Sequence, residues 1–230
     1  MMKPKMALLI CDHVAPEWVE EHGTYSDMFR KLLGIPFDSF YVCDDKFPQM
    51  DDYEQFVCTG SKFSVYDDLL WVEKLKELTR NVYGAGKKYV GVCFGHQMIA
   101  EALGGSVKRS EKGYQIGVHT FSIHKQKPWM VPYESAFHVL MLCQDQVVRL
   151  PEGGEVLASS PNCKTGMFTV GRNFLGIQGH PEFTPEYDRA VFESRLNRVD
   201  PDKVKSAIKS FDQKPDSQRL AGYIRHFLTQ

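Results

Sequence analysis

The stretch "KKYVGVCFGHQMIAEALGG", residues 87–105, decides how the rest of the chain is read. Its first half, KYVGV, is a short apolar run of the kind that forms a buried strand. Its second half, from about Gly95 to Leu103, has helical spacing. Cys93 stands at the junction, with Gly91 and Gly95 two residues to either side. In a parallel α/β sheet, ligands sit beyond the carboxyl ends of the strands, and Cys93 lies at such an end. A sharp strand-to-helix turn needs small neighbours, because bulky side chains collide where the backbone folds on itself. The pattern is the cysteine counterpart of a nucleophile elbow. The partial positive charge at the helix N-terminus favours a thiolate there. The Phe94 N–H is left to point towards a developing oxyanion.

Outward from this junction, strand and helix signals alternate. MALLIC (6–11) reads as a buried strand. Ser26 is placed to cap a helix over "DMFRKLLG", with Met28, Phe29, Leu32 and Leu33 on one face and Gly34 ending it. "FDSFYVCD" (37–44) and "EQFVCTGS" (54–61) read as strands, the second running into a Thr-Gly-Ser turn. Asp67 or Asp68 then opens a helix whose stripe is Trp71, Leu75, Leu78 and Val82. This alternation predicts parallel βαβ units and a doubly wound, mostly parallel sheet flanked by helices.

The second half changes character. "GVHTFSIH", "AFHVLMLC", "EVLASSP", "GMFTVGRN" and "FLGIQGH" come one after another with turns between them, and predict an added antiparallel or mixed β region. Thr184-Pro185-Glu186 starts a helix through about Asn197. The tail from Pro201 to Gln230 is helix-like, with a weak stripe (Val204, Ile208, Phe211) and a stronger one (Leu220, Tyr223, Ile224, Phe227). It is expected on the outside of the molecule. No Gly/Ser- or Pro-rich linker divides the chain, so one domain is expected over 1–230, with about 185–230 a helical extension packed on it.

Composition narrows the function classes. The 230 residues are 43 % hydrophobic and 25 % charged, the balance of an ordinary globular protein. Net charge is −1, from 28 Lys+Arg against 29 Asp+Glu, which argues against nucleic acid or an anionic membrane as partner. No apolar run approaches the roughly 18 residues of a membrane span, and MALLIC is too short for a secretory apolar region. A cytoplasmic location is expected. The six cysteines form no CxxC pair. Cys11, Cys43 and Cys58 read as small buried hydrophobes.

A nucleophile needs a base, and the base an orienter. "FLGIQGHPEF" supplies the best pair: His180 and Glu182, two residues apart at the end of an apolar strand and so on one side of it. Pro181 stiffens the turn. Each residue alone reads more readily as structural; together they make Cys93–His180–Glu182 a candidate triad. A metal set of Cys93, His96 and His180 lacks ligand spacing, so neither metal nor cofactor is expected.

With its partner "GHPE" 87 positions on, "GVCFGHQ" resembles the class I glutamine amidotransferase domain. The resemblance extends to "VCTGSK" and "VLASSPNC". Among the family's members it is strongest to stand-alone ones, plant γ-glutamyl peptidases and fungal amidotransferase-like proteins, which share "FDSFYVCDDKFP", "DLLWVEKL" and a helical tail. It implies a flavodoxin-like sheet and a Cys–His–Glu triad. It implies that Cys93 attacks a γ-glutamyl carbonyl to form a thioester, with backbone N–H groups near Gly60 and at Phe94 holding the oxyanion. His180 would protonate the leaving amine and then activate water. Gln97, and Ser61 in the turn after Gly60, would help hold the substrate. His96 also matches relatives, but reads as a packing or surface residue. One departure lies in "MLCQDQV", where relatives usually carry a histidine and this chain has Cys143, read either as a second thiol near the site or as a small inward-facing side chain.

The chain has no P-loop and no Ser-Gly-Gly-x-Asp-Ser signature, so any ATP chemistry belongs to a partner. Three readings are open: a hydrolase of γ-glutamyl amides such as glutamine, glutathione or its conjugates; a glutaminase subunit passing ammonia to a synthetase; and a non-catalytic regulatory protein that kept the fold. The loops Ser61–Asp68 and Lys108–Gln115 are expected to set the leaving group.

Overall fold

The computed structural model describes residues 6–194 and 199–230. β1 (Met6–Ile10) shows how the layers arise. Successive strand residues point to opposite faces; Leu8 and Ile10 join one apolar cluster, Ala7 and Leu9 another. Both faces must therefore be covered. α2 (Tyr25–Leu33) packs on the first, and α3 (Leu70–Gly84) and α4 (Phe94–Ala102) on the second.

The main sheet has nine strands. Across it from one edge run β2 (Asp38–Tyr41), β1, β3 (Gln55–Cys58), β4 (Lys88–Val92) and β11 (Phe174–Ile177), all parallel. Beyond β11 come β10 (Cys163–Val170), β9 (Gly154–Ser160), β6 (Gln115–Ile123) and β7 (Ala136–Cys143), each pairing antiparallel with the one before. The doubly wound sheet with an added antiparallel region is thus present. "FLGI", however, belongs to the parallel half. Its register pairs Ile177 with Val92, which sets the carboxyl ends of β11 and β4 side by side. That adjacency brings residues 87 apart in sequence to one place.

Several boundaries differ from expectation for local reasons. Thr24, not Ser26, caps α2: it accepts the Asp27 N–H, and Asp27 accepts the Thr24 N–H in return. α3 begins at Leu70 because the Asp67 carboxylate accepts the Ser64 N–H instead of capping it. "FDSFYVCD" is strand only over β2, then a 3₁₀ turn over Val42–Asp44 that leaves Cys43 half-buried, whereas Cys11 and Cys58 are buried as expected. Sequence signals missed α1 (Pro16–His22), which buries no residue fully, and the short polar strands β5 (Ser106–Arg109) and β8 (Asp145–Arg149), which pair with each other. The helix opened by Thr184 is α5 (Pro185–Glu193); the predicted stretch over 195–197 lies outside the described residues.

The tail corrects an expectation. α6 (Pro201–Ser210) packs on β6, close enough that a Cβ at Gly117 would lie 2.8 Å from the Ala207 Cα. α7 (Ser217–Leu228) is no outer addition. Leu220, Tyr223, Ile224 and Phe227 are buried in the same cluster as β1 and α2, and the Leu228 carbonyl accepts the side-chain amide of Gln55 at 2.9 Å. The strong apolar stripe read in the sequence covers sheet that α2 leaves bare.

α5 carries a buried acid. Asp188 is 0 % exposed, and among the described residues neither carboxyl oxygen has a well-aligned hydrogen-bond partner. Burial raises its pKa from 3.8 to about 7, opposed by His180 and the Gly117 N–H and reinforced by Glu182. Folding therefore favours the protonated acid.

Ile224→Ala, at a site with 0 % exposure, should cost about 2–5 kcal/mol in urea denaturation, while the same truncation at exposed Val148 should be near neutral. Because Asp188 has a folded pKa above its unfolded one, its own contribution to stability should fall as pH rises from about 4 through about 7, by on the order of 4 kcal/mol. Asp188→Asn should flatten that fall in denaturation curves taken at several pH values; an unchanged pH dependence would contradict the assignment.

Candidate active site

The turn after β4 is built by close backbone contact. Cys93 has φ +50°, a left-handed conformation rare for a residue with a side chain. A Cβ on Gly91 would lie 2.2 Å from the Gly95 carbonyl oxygen, and one on Gly95 would lie 2.4 Å from that of Cys58. Neither position accepts any side chain. The Cys93 N–H donates to the Ile177 carbonyl at 2.9 Å, and the Gly95 N–H to Thr59 at 3.2 Å, tying the turn to β11 and to the end of β3. Cys93 lies at the N-terminus of α4, whose first N–H, that of Phe94, has no partner within the helix.

His180 reaches the same place by a different device from the strand expected. β11 ends at Ile177, and His180 is held by a single bridge to β7, its N–H donating to the Leu140 carbonyl at 2.8 Å. Glu182 comes next in a turn, and its Oε1 meets His180 Nδ1 at 2.8 Å. Both side chains are buried, at 4 % and 0 % exposure. His180 Nε2 makes no well-aligned hydrogen bond among the described residues. Burial alone would push the imidazole's pKa down. The negative charges of Cys93 and Glu182 outweigh it and hold the pKa well above its ordinary value. A thiol, an imidazole and a carboxylate so placed can sustain a thiolate–imidazolium pair.

Gly60 closes the site. A Cβ there would lie 2.7 Å from His180 Cε1 and 3.6 Å from the Cys93 Cβ, so its backbone lies against both side chains. Ser61 and Gln97 sit nearby, each already bonded. Ser61 Oγ donates to the Cys11 carbonyl at 2.8 Å. Gln97 is buried, and its amide donates to the Asp145 carbonyl at 2.8 Å and to Gln178 Oε1 at 3.3 Å. Asp145 also accepts the Tyr66 hydroxyl at 2.9 Å, so the Ser61–Asp68 loop is tied across to the segment after β7.

His96 and Cys143 are both buried. His96 packs on Phe168 at 4.6 Å, and burial lowers its pKa to about 3, so it is a neutral core residue. Cys143 faces inward; burial, then Cys93, Cys163, Asp145 and Asp188, push its thiol pKa well up. The sequence signals missed Asp188, which shares this buried region. Its trace in the sequence is an acid on a helix face otherwise made by Tyr187, Val191 and Phe192. They also missed a cavity of about 310 Å³ that opens beside His180, with Trp18 of α1 and Lys62 in its lining.

Known proteins match this chain in sequence and in fold. The family model for class I glutamine amidotransferase matches residues 44–197. γ-Glutamyl peptidase 3 of Arabidopsis thaliana is 32 % identical over 228 residues, covering 90 % of each chain. One subunit of the glutamine-hydrolysing GMP synthase of Sulfolobus acidocaldarius is 29 % identical over 163 residues, covering 70 % of this chain and 85 % of that one. Among solved structures, a glutamine amidotransferase from Thermotoga maritima superposes with a TM-score of 0.76 at 20 % identity, covering 99 % of this chain and all of that one. With its fold, its Cys93 turn and its matched length, the chain belongs to the class I glutamine amidotransferase family, a family of amidotransferase-type hydrolases.

Proposed function

We propose that the protein hydrolyses γ-glutamyl amides whose leaving amine is larger than ammonia, with Cys93, His180 and Glu182 as its catalytic residues. The observation that carries this reading is the cavity of about 310 Å³ beside His180. Ammonia is a molecule of about water's size, and water takes up only about 30 Å³ in the liquid. A glutaminase needs no such room for its leaving group.

Cys93 Sγ attacks the γ-carbonyl carbon, and the Gly60 and Phe94 N–H groups receive the oxyanion. His180 Nε2 gives its proton to the departing nitrogen, leaving a γ-glutamyl thioester on Cys93. His180 then takes a proton from water, which attacks the thioester and releases glutamate and the thiolate. Glu182 holds the imidazole orientation and stabilises its protonated form. Gln97 fixes the Cys143–Asp145 segment beside the acyl side, and Ser61 fixes the turn carrying Gly60. The A. thaliana similarity supports this reading. The similarity to the GMP synthase of S. acidocaldarius supports a second one, a glutaminase that hands ammonia to a separate synthetase.

Purified protein incubated alone with glutamine, γ-glutamyl dipeptides and glutathione separates the two. Glutamate release from the peptides, abolished in Cys93→Ser, is the expected outcome. Turnover of glutamine alone would favour the second reading, and full activity in Cys93→Ser would overturn the nucleophile in both. Glu182→Gln should lower kcat/KM by on the order of 10³-fold. Because Glu182 helps raise the His180 pKa, its loss should also move the alkaline limb of the pH–rate profile to lower pH.

A further inference from the structure

The cavity beside His180 has a chemical character that goes beyond its size. It touches His180, the residue that would protonate the amine, and Ser61, but not Cys93, Gln97 or Cys143. One wall is a continuous run of rings. Phe183 stacks flat on the His180 imidazole, with centroids 4.1 Å apart and planes 8° apart. Tyr187 meets Phe183 edge-on at 4.7 Å, and Trp18 meets Tyr187 edge-on at 6.2 Å. All four rings line the cavity, so the wall runs from the proton donor to a helix, α1, at its edge. Such a surface favours a flat aromatic group, since offset and edge-on ring contacts add about 0.5–1.5 kcal/mol to simple burial.

The lining also includes a cation, Lys62. Lys62 Nζ lies 2.9 Å from Asp12 Oδ1, with the lysine side chain 55 % exposed and the aspartate 7 %. Asp12 does not depend on it, because its two oxygens already accept the backbone N–H groups of His13 at 2.8 Å and Lys62 at 2.9 Å. The Lys62 ammonium can therefore move to an incoming anion without leaving Asp12 bare. His13 is occupied by Asp44, at 3.0 Å. A volume of about 310 Å³ is at the small end of ligand cavities, and suits one amino acid better than a long peptide.

We propose that the preferred leaving group is an α-amino acid with an aromatic side chain and a free carboxylate. The substrate is then a γ-glutamyl dipeptide such as γ-glutamyl-phenylalanine, its ring on the Phe183–Tyr187–Trp18 wall and its carboxylate on Lys62. This rests on the hydrolase reading above. Trp18 and Lys62 are specificity residues and take no part in the chemistry.

The test measures kcat/KM for γ-glutamyl-phenylalanine, γ-glutamyl-phenylalanine amide, γ-glutamyl-glycine, glutathione and glutamine. The wild type should prefer γ-glutamyl-phenylalanine over γ-glutamyl-glycine by about 10–100-fold. Trp18→Ala should collapse that ratio, mainly through KM, with Trp18→Phe restoring most of it. Lys62→Met, a substitution at an exposed position, should cost about 10-fold on the acid and nothing on the amide. If every dipeptide is cleaved within about threefold of the others, or Lys62→Met slows acid and amide alike, the aromatic-carboxylate assignment is overturned while the hydrolase reading stands. If only glutamine is turned over, or nothing is, the hydrolase reading and this assignment both fail.

Discussion

The contact between the backbone at Gly91 and that at Gly95 is the constraint on which the rest of the site depends. With a Cβ-to-oxygen distance of only 2.2 Å available, α4 starts directly on top of β4, and no other residue fits. Cys93 is left with φ +50°, a conformation that costs about 1–3 kcal/mol and persists only where surrounding contacts over-determine it. Those contacts are the hydrogen bonds to Ile177 and Thr59. The turn leaves Cys93 immediately before α4, at the helix N-terminus. The parallel pairing of β4 with β11 then makes the elbow useful, because it delivers His180 to the same end of the sheet.

Bringing these elements together concentrates buried ionisable groups. Cys93, His180, Glu182 and Asp188 are all at least 94 % buried. Charges in such a place must compensate one another, since each taken alone is strongly disfavoured. The imidazole does this for two neighbours: its raised pKa is the counterpart of the negative charge on Cys93 and Glu182. For Asp188 burial outweighs the same imidazole, and its pKa stays raised. Phe183, flat against His180, covers the imidazole face and so removes solvent that would otherwise screen the pair.

The elbow and the dyad were legible because each is a local pattern: small residues around one cysteine, a histidine and a glutamate two apart. The alternation of strands and helices was legible for the same reason. The order of strands in the sheet was less so. "FLGI" reads like its antiparallel neighbours, and its place beside β4 is a fact about residues far apart in sequence. α1 is not legible, because it faces solvent and buries nothing fully, leaving no apolar stripe. The tail's stripe was seen, but a stripe does not say which surface it covers. The cavity wall draws on α1, the turn after β11 and α5, and no spacing rule links Trp18 to Tyr187.

This division between legible and hidden parts has a functional consequence. In the proposed reaction the bond to be broken is fixed by the elbow and the dyad, where a Cβ in the wrong place cannot be accommodated. The leaving group we propose would be read by surfaces with far looser demands: a solvent-facing helix, and a lysine whose partner is satisfied without it. Substitutions there leave the core packing intact, because Trp18 is only partly buried and Lys62 is half exposed. A family can therefore keep one reaction while changing the amine it releases. In this chain the two come within one ring contact of each other. The Phe183 ring that shields the imidazole is also the first rung of the cavity wall, so in the proposed reaction one residue touches both the proton donor and the surface offered to the leaving group.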